Sequence, residues 1–538
     1  MDLLHDLVDL AASRTPDAVA LRFGDQDETY QQLRRSSISV ARGLLQCGVR
    51  RGDRVAVWLP NRPEVVECLL ACSRIGAIFV PLHAGLKPRQ VAHVLADSEA
   101  RVLITLDTMS RHLPYLLDLR RTPLDIVLVR QQSDVMHPSN VPAIDYEHLL
   151  DSPPSALSRV GIDRDIVAIL YTSGSTGRAK GVMVTHLNLV SGARCVSEYL
   201  QNTRDDRILA ALPLSFDYGL SQVTTAMSVG ARAVLTNFSL PLQMLQQVAS
   251  ERITGLAGVP TMWAHLAAAD WPSGAVDSLR YITSSGGALH RTLIRQLQAR
   301  LPHARIFSMY GLTEAFRSTY LPPDELDERP DSIGKAVPNQ EVLVLKPDGT
   351  RCGPNEVGEL VHRGSFVTAG YWRQPELTAA RFRPLGTHLT GVPPGEIAVW
   401  SGDLVRTDTD GYLYFVGRGD ALIKTSGHRV SPGEIEEVIA EVEGVIEGVA
   451  VGVPDVVLGQ RIAVAIVAAE VDMRELLERV RRHCREQLPS HMMPAELRCV
   501  PQIPRNANGK PDRAALTAML QEATIPMQDA RSLAAGGE

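Results

Sequence analysis

An apolar run at residues 166–171 leads directly into the sequence Tyr171-Thr172-Ser173-Gly174-Ser175-Thr176-Gly177-Arg178-Ala179-Lys180-Gly181-Val182. Its glycines let the main chain approach an anion closely, while its hydroxyl groups, backbone N–H groups and Lys180 supply hydrogen-bond donors and positive charge. A Walker A loop is excluded, because that pattern has glycine directly before the lysine and Ala179 stands there. A flexible surface linker has a similar composition but seldom joins an apolar strand to a lysine. The stretch therefore predicts a loop that binds phosphate at the end of a strand.

Strand-like and helix-like patterns alternate on both sides of this loop, from about residue 3 to residue 330. The strand-like runs occupy residues 54–59, 101–106, 166–171, 231–236, 279–284 and 304–309. Between them lie amphipathic stretches such as residues 30–47, whose single helical stripe comprises Leu33, Ile38, Ala41, Leu44 and Leu45. This alternation predicts two parallel sheets that are flanked by helices.

The pattern changes after about residue 341, where short alternating strands are joined by turn signals such as Pro347-Asp348-Gly349. Residues 341–417 are therefore predicted to form an antiparallel, barrel-like subdomain. A smaller mixed unit follows, with helices predicted at residues 431–443 and 473–488 and strands at residues 449–453 and 462–468.

These patterns together predict an α/β protein of two domains. The large N-terminal domain spans residues 1–419 and contains the parallel sheets and the barrel-like subdomain. The small C-terminal domain spans residues 420–538 and is of the α+β type. Its tail is predicted to be disordered from about residue 525.

The composition of the 538 residues narrows the class of protein. Lys and Arg number 55 against 61 Asp and Glu, and no predicted helix face carries a basic block, which argues against nucleic acid as a partner. The seven cysteines form no Cys-x-x-Cys pair, as expected in a reducing compartment. The chain lacks a signal-peptide pattern and an apolar run of the ~20 residues that span a membrane. We expect a cytoplasmic protein that does not enter a membrane, whereas no pattern indicates its oligomeric state.

The loop at residues 171–182 resembles the signature of the adenylate-forming superfamily, which includes acyl-CoA synthetases, nonribosomal peptide adenylation domains and luciferases. Further motifs of that family follow in its order: Tyr310-Gly311-Leu312-Thr313-Glu314, Ser401-Gly402-Asp403, Gly417-Arg418-Gly419-Asp420, Gly427-His428-Arg429 and Pro504-Arg505-Asn506-Ala507-Asn508-Gly509-Lys510. The main departure is Ala179, where the family usually has proline. We expect this alanine to loosen the loop slightly without abolishing the use of ATP.

The resemblance implies a reaction in two steps. A carboxylate first attacks the α-phosphate of ATP to give an acyl adenylate and pyrophosphate, and a thiol then displaces AMP to form a thioester. By the same resemblance, Lys510 bridges carboxylate and phosphate, and Lys180 assists in the phosphate-binding loop. Glu314 contacts Mg²⁺, and Thr313 donates a hydrogen bond to phosphate. Positive charge and a metal are needed because the attack brings two anions together.

The resemblance also assigns residues to the nucleoside and to the second step. Tyr310 offers an aromatic face to adenine next to Gly311, and Gly286-Gly287-Ala288 forms a wall beside it. Asp403 holds the ribose hydroxyl groups, and Arg418 lies near ribose and phosphate. Related enzymes rotate the small domain about a hinge, which Asp420 matches here, and then present the region of Gly427 and Arg429 to the thiol.

A residue-by-residue comparison predicts the pocket for the acid. Its members are Asp217, Tyr218, Ser221, Ala257, Thr283, Ser285, Met309, Arg317 and Ser318. This mostly polar lining favours a small polar acid over a long acyl chain, which needs apolar surroundings. Asp217 matches the aspartate that pairs with the ammonium group in amino-acid-activating relatives, although fatty-acid-activating relatives also have an aspartate here. Arg317 either binds a second carboxylate or forms an internal ion pair with Asp217 or another acid.

The leading hypothesis is an AMP-forming ligase that loads a small polar acid, with an amino acid as the first candidate, onto the thiol of a separate carrier protein. No carrier attachment motif follows Lys510, so the carrier is expected to be another chain. Two alternatives stay open: a ligase that uses coenzyme A with a non-amino acid, and non-thiol chemistry such as amide formation or nitrite activation. A nucleotide-binding protein without turnover is disfavoured, because it would be free to lose Lys510 and Glu314. Segments 216–220 and 313–318 resemble stand-alone ligases, some associated with exosortase gene clusters and others with amino-acid loading.

Overall fold

A computed structural model describes residues 2–118, 124–129, 143–155, 157–172, 179–237, 240–272, 274–289, 291–386, 390–418, 422–468, 472–505 and 511–522. The described residues form two compact units, a large one within residues 1–420 and a small one within residues 421–538. Lys510, the loop segment at residues 173–178 and the tail from residue 525 lie outside the described residues.

The large unit is built on strands that alternate with helices. Its strands are β1 (Val19–Phe23), β2 (Gln26–Thr29), β3 (Arg54–Trp58), β4 (Ile78–Leu82), β5 (Val102–Leu106), β6 (Asp125–Val129), β7 (Ala143–Asp145), β8 (Ile166–Thr172), β9 (Lys180–Thr185), β10 (Arg207–Ala210), β11 (Arg232–Leu235), β12 (Gly255–Gly258), β13 (Tyr281–Ser284), β14 (Arg305–Tyr310), β15 (Thr319–Leu321), β16 (Ser332–Ala336), β17 (Gln340–Leu345), β18 (Gly358–Gly364), β19 (Phe382–Pro384), β20 (Ile397–Thr407) and β21 (Leu413–Arg418). Its helices are α1 (Asp6–Arg14), α2 (Tyr30–Gln46), α3 (Pro63–Ile75), α4 (Pro88–Ser98), α5 (Leu113–Asp118), α6 (Tyr146–Leu150), α7 (His186–Tyr199), α8 (Asp217–Val229), α9 (Pro241–Ser250), α10 (Pro260–Ala268), α11 (Arg291–Arg300) and α12 (Pro375–Arg381), with short 3-10 helices at Asp107–His112, Thr313–Ala315 and Pro323–Glu325.

Two sheets organise these elements. The first has the order β7-β6-β5-β3-β4-β8-β9, and its neighbouring strands are parallel except for the antiparallel pair β8–β9. The second contains the parallel order β1-β11-β10-β12-β13-β14 and continues through β15 and β16 into the antiparallel strands β21, β20, β18 and β17. The predicted α/β class, with parallel sheets and an antiparallel subdomain, is confirmed. The sequence did not predict that the antiparallel strands extend the parallel sheet.

Local sequence accounts for the central elements. Every residue of β5 is buried, as expected of a parallel strand covered on both faces. Helix α2 begins with a capping box, in which the side chains of Thr29 and Gln32 each accept a backbone hydrogen bond from the other residue. Its predicted stripe is buried at Leu33 and Leu44, whereas Leu45 is 42% exposed. Leu45 lies on the predicted stripe, about one helical turn after the buried Ala41, but it is exposed near the C-terminal end of the helix at Gln46.

The small unit is a mixed sheet with helices. Its elements are β22 (Ile423–Thr425), β23 (His428–Val430), α13 (Pro432–Ala440), β24 (Val445–Asp455), β25 (Gly459–Ala468), α14 (Met473–Gln487), a 3-10 helix at Ser490–Met492, β26 (Glu496–Cys499) and α15 (Arg513–Glu522). The strand order is β23-β22-β25-β24, and β26 pairs in parallel with β25. Within the described residues of the whole chain, every helix is too short or too polar to cross a lipid bilayer.

Candidate active site

The predicted phosphate-binding loop connects two adjacent antiparallel strands. Thr172 at the end of β8 lies opposite Lys180 at the start of β9, and Tyr171 lies opposite Gly181. Lys180 is thereby fixed at the first position of a strand, where it is 9% exposed. The remaining loop residues, Ser173 to Arg178, lie outside the described residues, and their contacts with phosphate stay predictions.

Lys180 and Glu314 meet in a buried polar cluster with Tyr371. The Lys180 Nζ atom donates to the Tyr371 hydroxyl oxygen at 2.7 Å and lies 3.2 Å from Glu314 Oε1. The Tyr371 hydroxyl in turn donates to Glu314 Oε1 at 2.7 Å. Glu314 is only 5% exposed. Burial strengthens such charge-assisted contacts, because water screens them less than at the surface.

Backbone pairing with β9 places Tyr371 in this cluster. The N–H of Met183 donates to the carbonyl of Gly370 at 2.9 Å, and the N–H of Trp372 donates to the carbonyl of Gly181 at 2.8 Å. A Cβ at Gly181 would lie 2.5 Å from Ile169 Cγ2 on β8, so a larger residue here would force its neighbours to move. Sequence reasoning missed Tyr371, since no local pattern links it to a strand almost two hundred residues earlier.

Glu314 and Thr313 lie in the short 3-10 helix that follows β14. The backbone N–H and the side-chain hydroxyl of Thr368 both donate to the Glu314 carbonyl oxygen, each at 3.0 Å. Thr313 is half-buried at the first position of this helix. A single carboxylate fits a Mg²⁺ ion that takes its other ligands from phosphate oxygens and water, because this hard cation prefers oxygen ligands.

Tyr310 and Asp403, both predicted to contact the nucleoside, are in direct contact. The Tyr310 hydroxyl donates to Asp403 Oδ2, and its ring stacks with that of His362 at a centroid distance of 6.5 Å. Asp403 on β20 lies opposite Arg418 on β21, so the sheet register brings these two backbone positions together. Sequence reasoning missed His362, which is fully buried in the antiparallel region.

The wall predicted beside adenine lies at the same edge of the sheet. Strands β13 and β14 are parallel, with Ser284 opposite Ser308, so residues 286–288 and 311–314 both follow the carboxyl ends of adjacent strands. Gly286 has a φ of 85°, in the left-handed region that favours glycine. Ala288 is exposed. Ligands of open α/β sheets bind at this edge of the strands.

Five of the predicted acid-pocket residues line one cavity: Tyr218, Ala257, Thr283, Met309 and Arg317. Its volume is about 30 Å³. Sequence reasoning missed Tyr199, Gln222, Thr225 and Tyr281, which also line it. The mostly polar lining expected from the sequence was wrong, because apolar residues form much of the wall: Val196, Leu200, Ile208, Leu256, Ala257 and Met309. The Tyr218 and Thr283 hydroxyl groups are hydrogen-bonded at 2.6 Å, and burial raises the pKa of Tyr218.

The structure does not bring Asp217, Ser221, Ser285 and Ser318 to the wall of this cavity. Helix α8 presents Tyr218, Gln222 and Thr225, which share a face because they are four and three residues apart. Asp217 and Ser221 are themselves four residues apart and share the neighbouring face. Asp217 is half-buried at the start of the helix, where its Oδ1 accepts a hydrogen bond from the Tyr218 N–H at 2.8 Å.

Asn61 positions the segment that leads into α8. Its Nδ2 group donates to the carbonyls of Ala210 and Leu212 at 3.1 and 2.9 Å, and its Oδ1 accepts from the Leu214 N–H at 3.0 Å. A Cβ at Gly219 would lie 2.0 Å from the Pro213 carbonyl oxygen, so only glycine permits this approach. Sequence reasoning missed Asn61, which follows β3 in the other sheet.

The small unit contains the residues predicted for the thiol step. Gly427 has a φ of 82° in the turn between β22 and β23, where the left-handed conformation favours glycine. Arg429 on β23 lies opposite Lys424 on β22. The rings of His428 and His491 stack at a centroid distance of 4.1 Å. The predicted hinge residue, Asp420, lies outside the described residues.

Residues 8–372 match the AMP-binding enzyme family, and residues 434–510 match the AMP-binding enzyme C-terminal domain. The chain is similar to feruloyl-CoA synthase from Amycolatopsis sp, with 33% identity over 508 residues that cover 93% of this chain and 95% of that protein. It is 30% identical to a linear gramicidin synthase from Brevibacillus parabrevis over 518 residues, which cover 95% of this chain. It spans only 10% of that much longer protein.

Solved structures show the same fold. The o-succinylbenzoate CoA synthetase of Bacillus subtilis has a TM-score of 0.79 at 27% identity, with 95% of this chain and 97% of that chain covered. The amide bond synthetase of Marinactinospora thermotolerans has a TM-score of 0.83 at 23% identity, with 97% of this chain and 100% of that chain covered. At this identity the similarity shows a common fold alone. The motifs, the fold and these matches agree, and the chain belongs to the AMP-binding enzyme family of the adenylate-forming superfamily.

Proposed function

We propose that this protein is an ATP-dependent, AMP-forming ligase that activates a small polar carboxylic acid and transfers it to a thiol. An amino acid is the first candidate for the acid, and the phosphopantetheine thiol of a separate carrier protein is the first candidate for the acceptor. The observation that carries the proposal is the buried cluster of Lys180, Tyr371 and Glu314. It joins the end of the predicted phosphate loop to the predicted metal ligand.

In the first step, the enzyme has to bring a carboxylate to the triphosphate of ATP. Lys180 and the loop residues from Thr172 to Gly177 bind the phosphates, and Thr313 donates a hydrogen bond to them. Lys510 carries the charge that bridges the attacking carboxylate and the α-phosphate. Glu314 would hold Mg²⁺, which neutralises phosphate charge when bound. In the structure Lys180 contacts Glu314, and a phosphate group would replace part of this contact.

The nucleoside lies, in this proposal, at the carboxyl edge of β13 and β14. Tyr310 and Gly311 face adenine on one side, and Gly286, Gly287 and Ala288 form the other wall. Asp403 accepts from the ribose hydroxyl groups, with Arg418 beside it. The hydrogen bond from Tyr310 to Asp403 supports this arrangement, because it fixes the aromatic ring and the carboxylate relative to each other.

For the second step, the domain of residues 420–538 rotates about Asp420. Lys510 then leaves the reaction centre, and the turn with Gly427 and Arg429 faces the thiol. The division of the chain between Asp420 and Ala421 supports the position of the hinge. A hinge needs only a few residues that can absorb a change in backbone angles.

The polar side chains of Thr283, Gln222 and Thr225 in the cavity wall support a small polar acid. Asp217 would pair with the ammonium group of an amino acid. Coenzyme A with a non-amino acid is the second candidate, and one observation favours it. The chain is 33% identical to feruloyl-CoA synthase over 508 residues, which cover 95% of that protein.

The test is acid-dependent exchange of labelled pyrophosphate into ATP, measured across amino, dicarboxylic, aromatic and fatty acids. We expect exchange with at least one small polar acid. The best substrate is then offered with coenzyme A and, separately, with a phosphopantetheinylated carrier protein. Exchange with long fatty acids alone would contradict the proposed acid class, and thioester formed only with coenzyme A would contradict the proposed acceptor.

Replacing Lys510 by alanine separates the two steps. Lys510→Ala should lower pyrophosphate exchange by about a hundredfold or more, as expected for loss of one charged group that stabilises the transition state. Thiol transfer from a supplied acyl adenylate should be largely retained. The exposed Lys346, which pairs with Glu356, provides the control Lys346→Ala. Undiminished exchange in Lys510→Ala would show that this lysine does not bridge the reacting groups.

A further inference from the structure

Arg317 presents a buried positive charge to the cavity of the proposed acid site. Only 5% of Arg317 is exposed, and its Nε atom is buried without a hydrogen-bond partner. No described carboxylate forms an ion pair with Arg317, including Asp217, which was one candidate partner on sequence grounds. The internal ion pair expected as one alternative is therefore not formed among the described residues.

The aromatic rings around Arg317 compensate its charge only in part. The guanidinium carbon lies 5.1 Å from the centroid of the Tyr218 ring and 5.5 Å from that of Phe316. Ring faces attract a cation, but they do not accept the N–H bonds that a guanidinium directs outward in its own plane. A buried charge without such acceptors destabilises a folded protein. A buried guanidinium of this kind is therefore expected where a ligand supplies the hydrogen-bond acceptors that the protein lacks.

The other described groups that line the cavity supply no hydrogen-bond acceptor for the Arg317 guanidinium. Arg317 is the one charged side chain among the described residues that line it. The Gln222 side-chain oxygen is buried without a hydrogen-bond partner, so it accepts no N–H of Arg317. The Thr225 hydroxyl is likewise buried without a partner and lines the same cavity, where it can donate to an anion. The wall thus combines one positive charge with a polar donor, as a site for a compact anion requires.

We propose that Arg317 binds a second carboxylate of the substrate, so that the activated acid is a short dicarboxylic acid or an amino acid with an acidic side chain. The proposal rests on the proposed function of this site. A guanidinium binds a carboxylate through two parallel hydrogen bonds, which gives both affinity and orientation. The cavity of about 30 Å³ is small, which favours a compact polar group over an aromatic ring or a long chain.

Matched pairs of acids test the proposal by pyrophosphate exchange: aspartate against asparagine, glutamate against glutamine, and succinate against its monoamide. Each pair differs in the charge of one group at nearly constant size. We expect the native enzyme to prefer the charged member by about 10- to 100-fold in kcat/KM. Arg317→Met should lose this preference, with a much larger fall in kcat/KM for the charged members than for the neutral ones, and Arg317→Lys should keep part of it.

The control is Arg291→Met, because Arg291 is an exposed arginine that pairs with Asp331. It should leave the preference unchanged. Preference for neutral acids by the native enzyme would overturn the proposal while leaving the proposed function intact. An equal loss in Arg317→Met for every acid would also overturn it, since Arg317 would then hold the reacting carboxylate.

Thermal unfolding provides a readout that does not depend on turnover. Without ligand, Arg317→Met should have a Tm equal to or above that of the native protein, because a buried charge is removed. Succinate or aspartate should raise the Tm of the native protein and not that of Arg317→Met. A lower Tm in the variant with no change in acid preference would assign Arg317 a structural role. If no acid supports exchange, the proposed function fails, and the Tm shift still decides whether Arg317 binds a dicarboxylate.

Discussion

At the scale of single residues, Tyr371 joins two groups of opposite charge in the candidate active site. It accepts a hydrogen bond from Lys180 and donates one to Glu314, both at 2.7 Å. The Lys180 Nζ atom also lies 4.0 Å from the centroid of the Tyr371 ring. The hydroxyl group therefore orients the ammonium and the carboxylate before any substrate binds, which lowers the cost of arranging them during the reaction.

Tyr371→Phe tests this positioning role. The variant keeps the ring but removes the hydroxyl group, so two buried charged groups each lose a hydrogen-bond partner. We expect the free energy of unfolding to fall by about 1–3 kcal/mol. Pyrophosphate exchange should fall by about tenfold or more, because Lys180 and Glu314 are less well ordered.

Chemical denaturation and the exchange assay measure the two effects. Tyr115→Phe is the matched control, since Tyr115 is 46% exposed and lies on α5, outside the cluster. An unchanged exchange rate in Tyr371→Phe would show that the ion pair of Lys180 and Glu314 needs no third group.

At the scale of elements, helix α3 carries a carboxyl group into the core of the large unit. Glu67 is buried, and the Tyr146 hydroxyl of α6 donates to its Oε2 at 2.6 Å. Burial raises the pKa of Glu67, and the neighbouring charge of Glu28 raises it further. Burial likewise raises the pKa of Glu28. The helix therefore holds a carboxylic acid that stays protonated at pH values where glutamate is usually ionised.

This titration predicts how stability depends on pH. The native state keeps the Glu67 proton at pH values where the unfolded chain has already released it, so stability falls as pH rises above the ordinary glutamate pKa of about 4.3. Glu67→Gln keeps an acceptor for Tyr146 but cannot titrate. Its Tm should decline less than that of the native protein between about pH 5 and pH 8.

Thermal unfolding across this pH range provides the measurement. Glu376→Gln on α12 is the control, because Glu376 is exposed and its replacement should leave the pH profile unchanged. Parallel profiles for the native protein and Glu67→Gln would show that Glu67 titrates normally in the folded state.

At the scale of the whole molecule, the apolar clusters are internal to the two units. The clusters of the large unit draw their described members from residues up to Leu413. Those of the small unit begin at Ile423 and end at Leu520. Each unit thus buries an apolar core of its own, as an independently stable domain requires.

A chain truncated after residue 420 is therefore expected to stay folded. It should show cooperative thermal unfolding and should still bind ATP, since the proposed nucleotide contacts lie in the large unit. Pyrophosphate exchange should be lost, because Lys510 is removed with the small unit. Calorimetry and the exchange assay provide the readouts. An aggregated or unfolded fragment, at matched concentration with the full chain, would contradict independent folding.

The positions and types of the main elements could be read from the sequence alone. The strand predicted at residues 101–106 is observed at Val102–Leu106, and the helix predicted at residues 473–488 at Met473–Gln487. Apolar periodicity, capping residues and turn glycines are local signals, and each acts within a few neighbouring residues. The order of the motifs also sufficed to identify the adenylate-forming superfamily, because their spacing reflects the fold that joins them.

Only the tertiary structure decided which distant residues meet. Lys180 and Tyr371 are 191 positions apart, and their contact depends on a strand pairing that no local pattern specifies. The same is true of Asn61, which reaches the segment before α8 from the other sheet. The face of α8 that lines the cavity, with Gln222 and Thr225 in place of Ser221, depends on how the helix is rotated where it packs against β10 and β11. The rotation of a helix and the order of strands in a sheet are set by the packing of the whole core. That packing depends on many residues at once, so no single stretch of sequence specifies it.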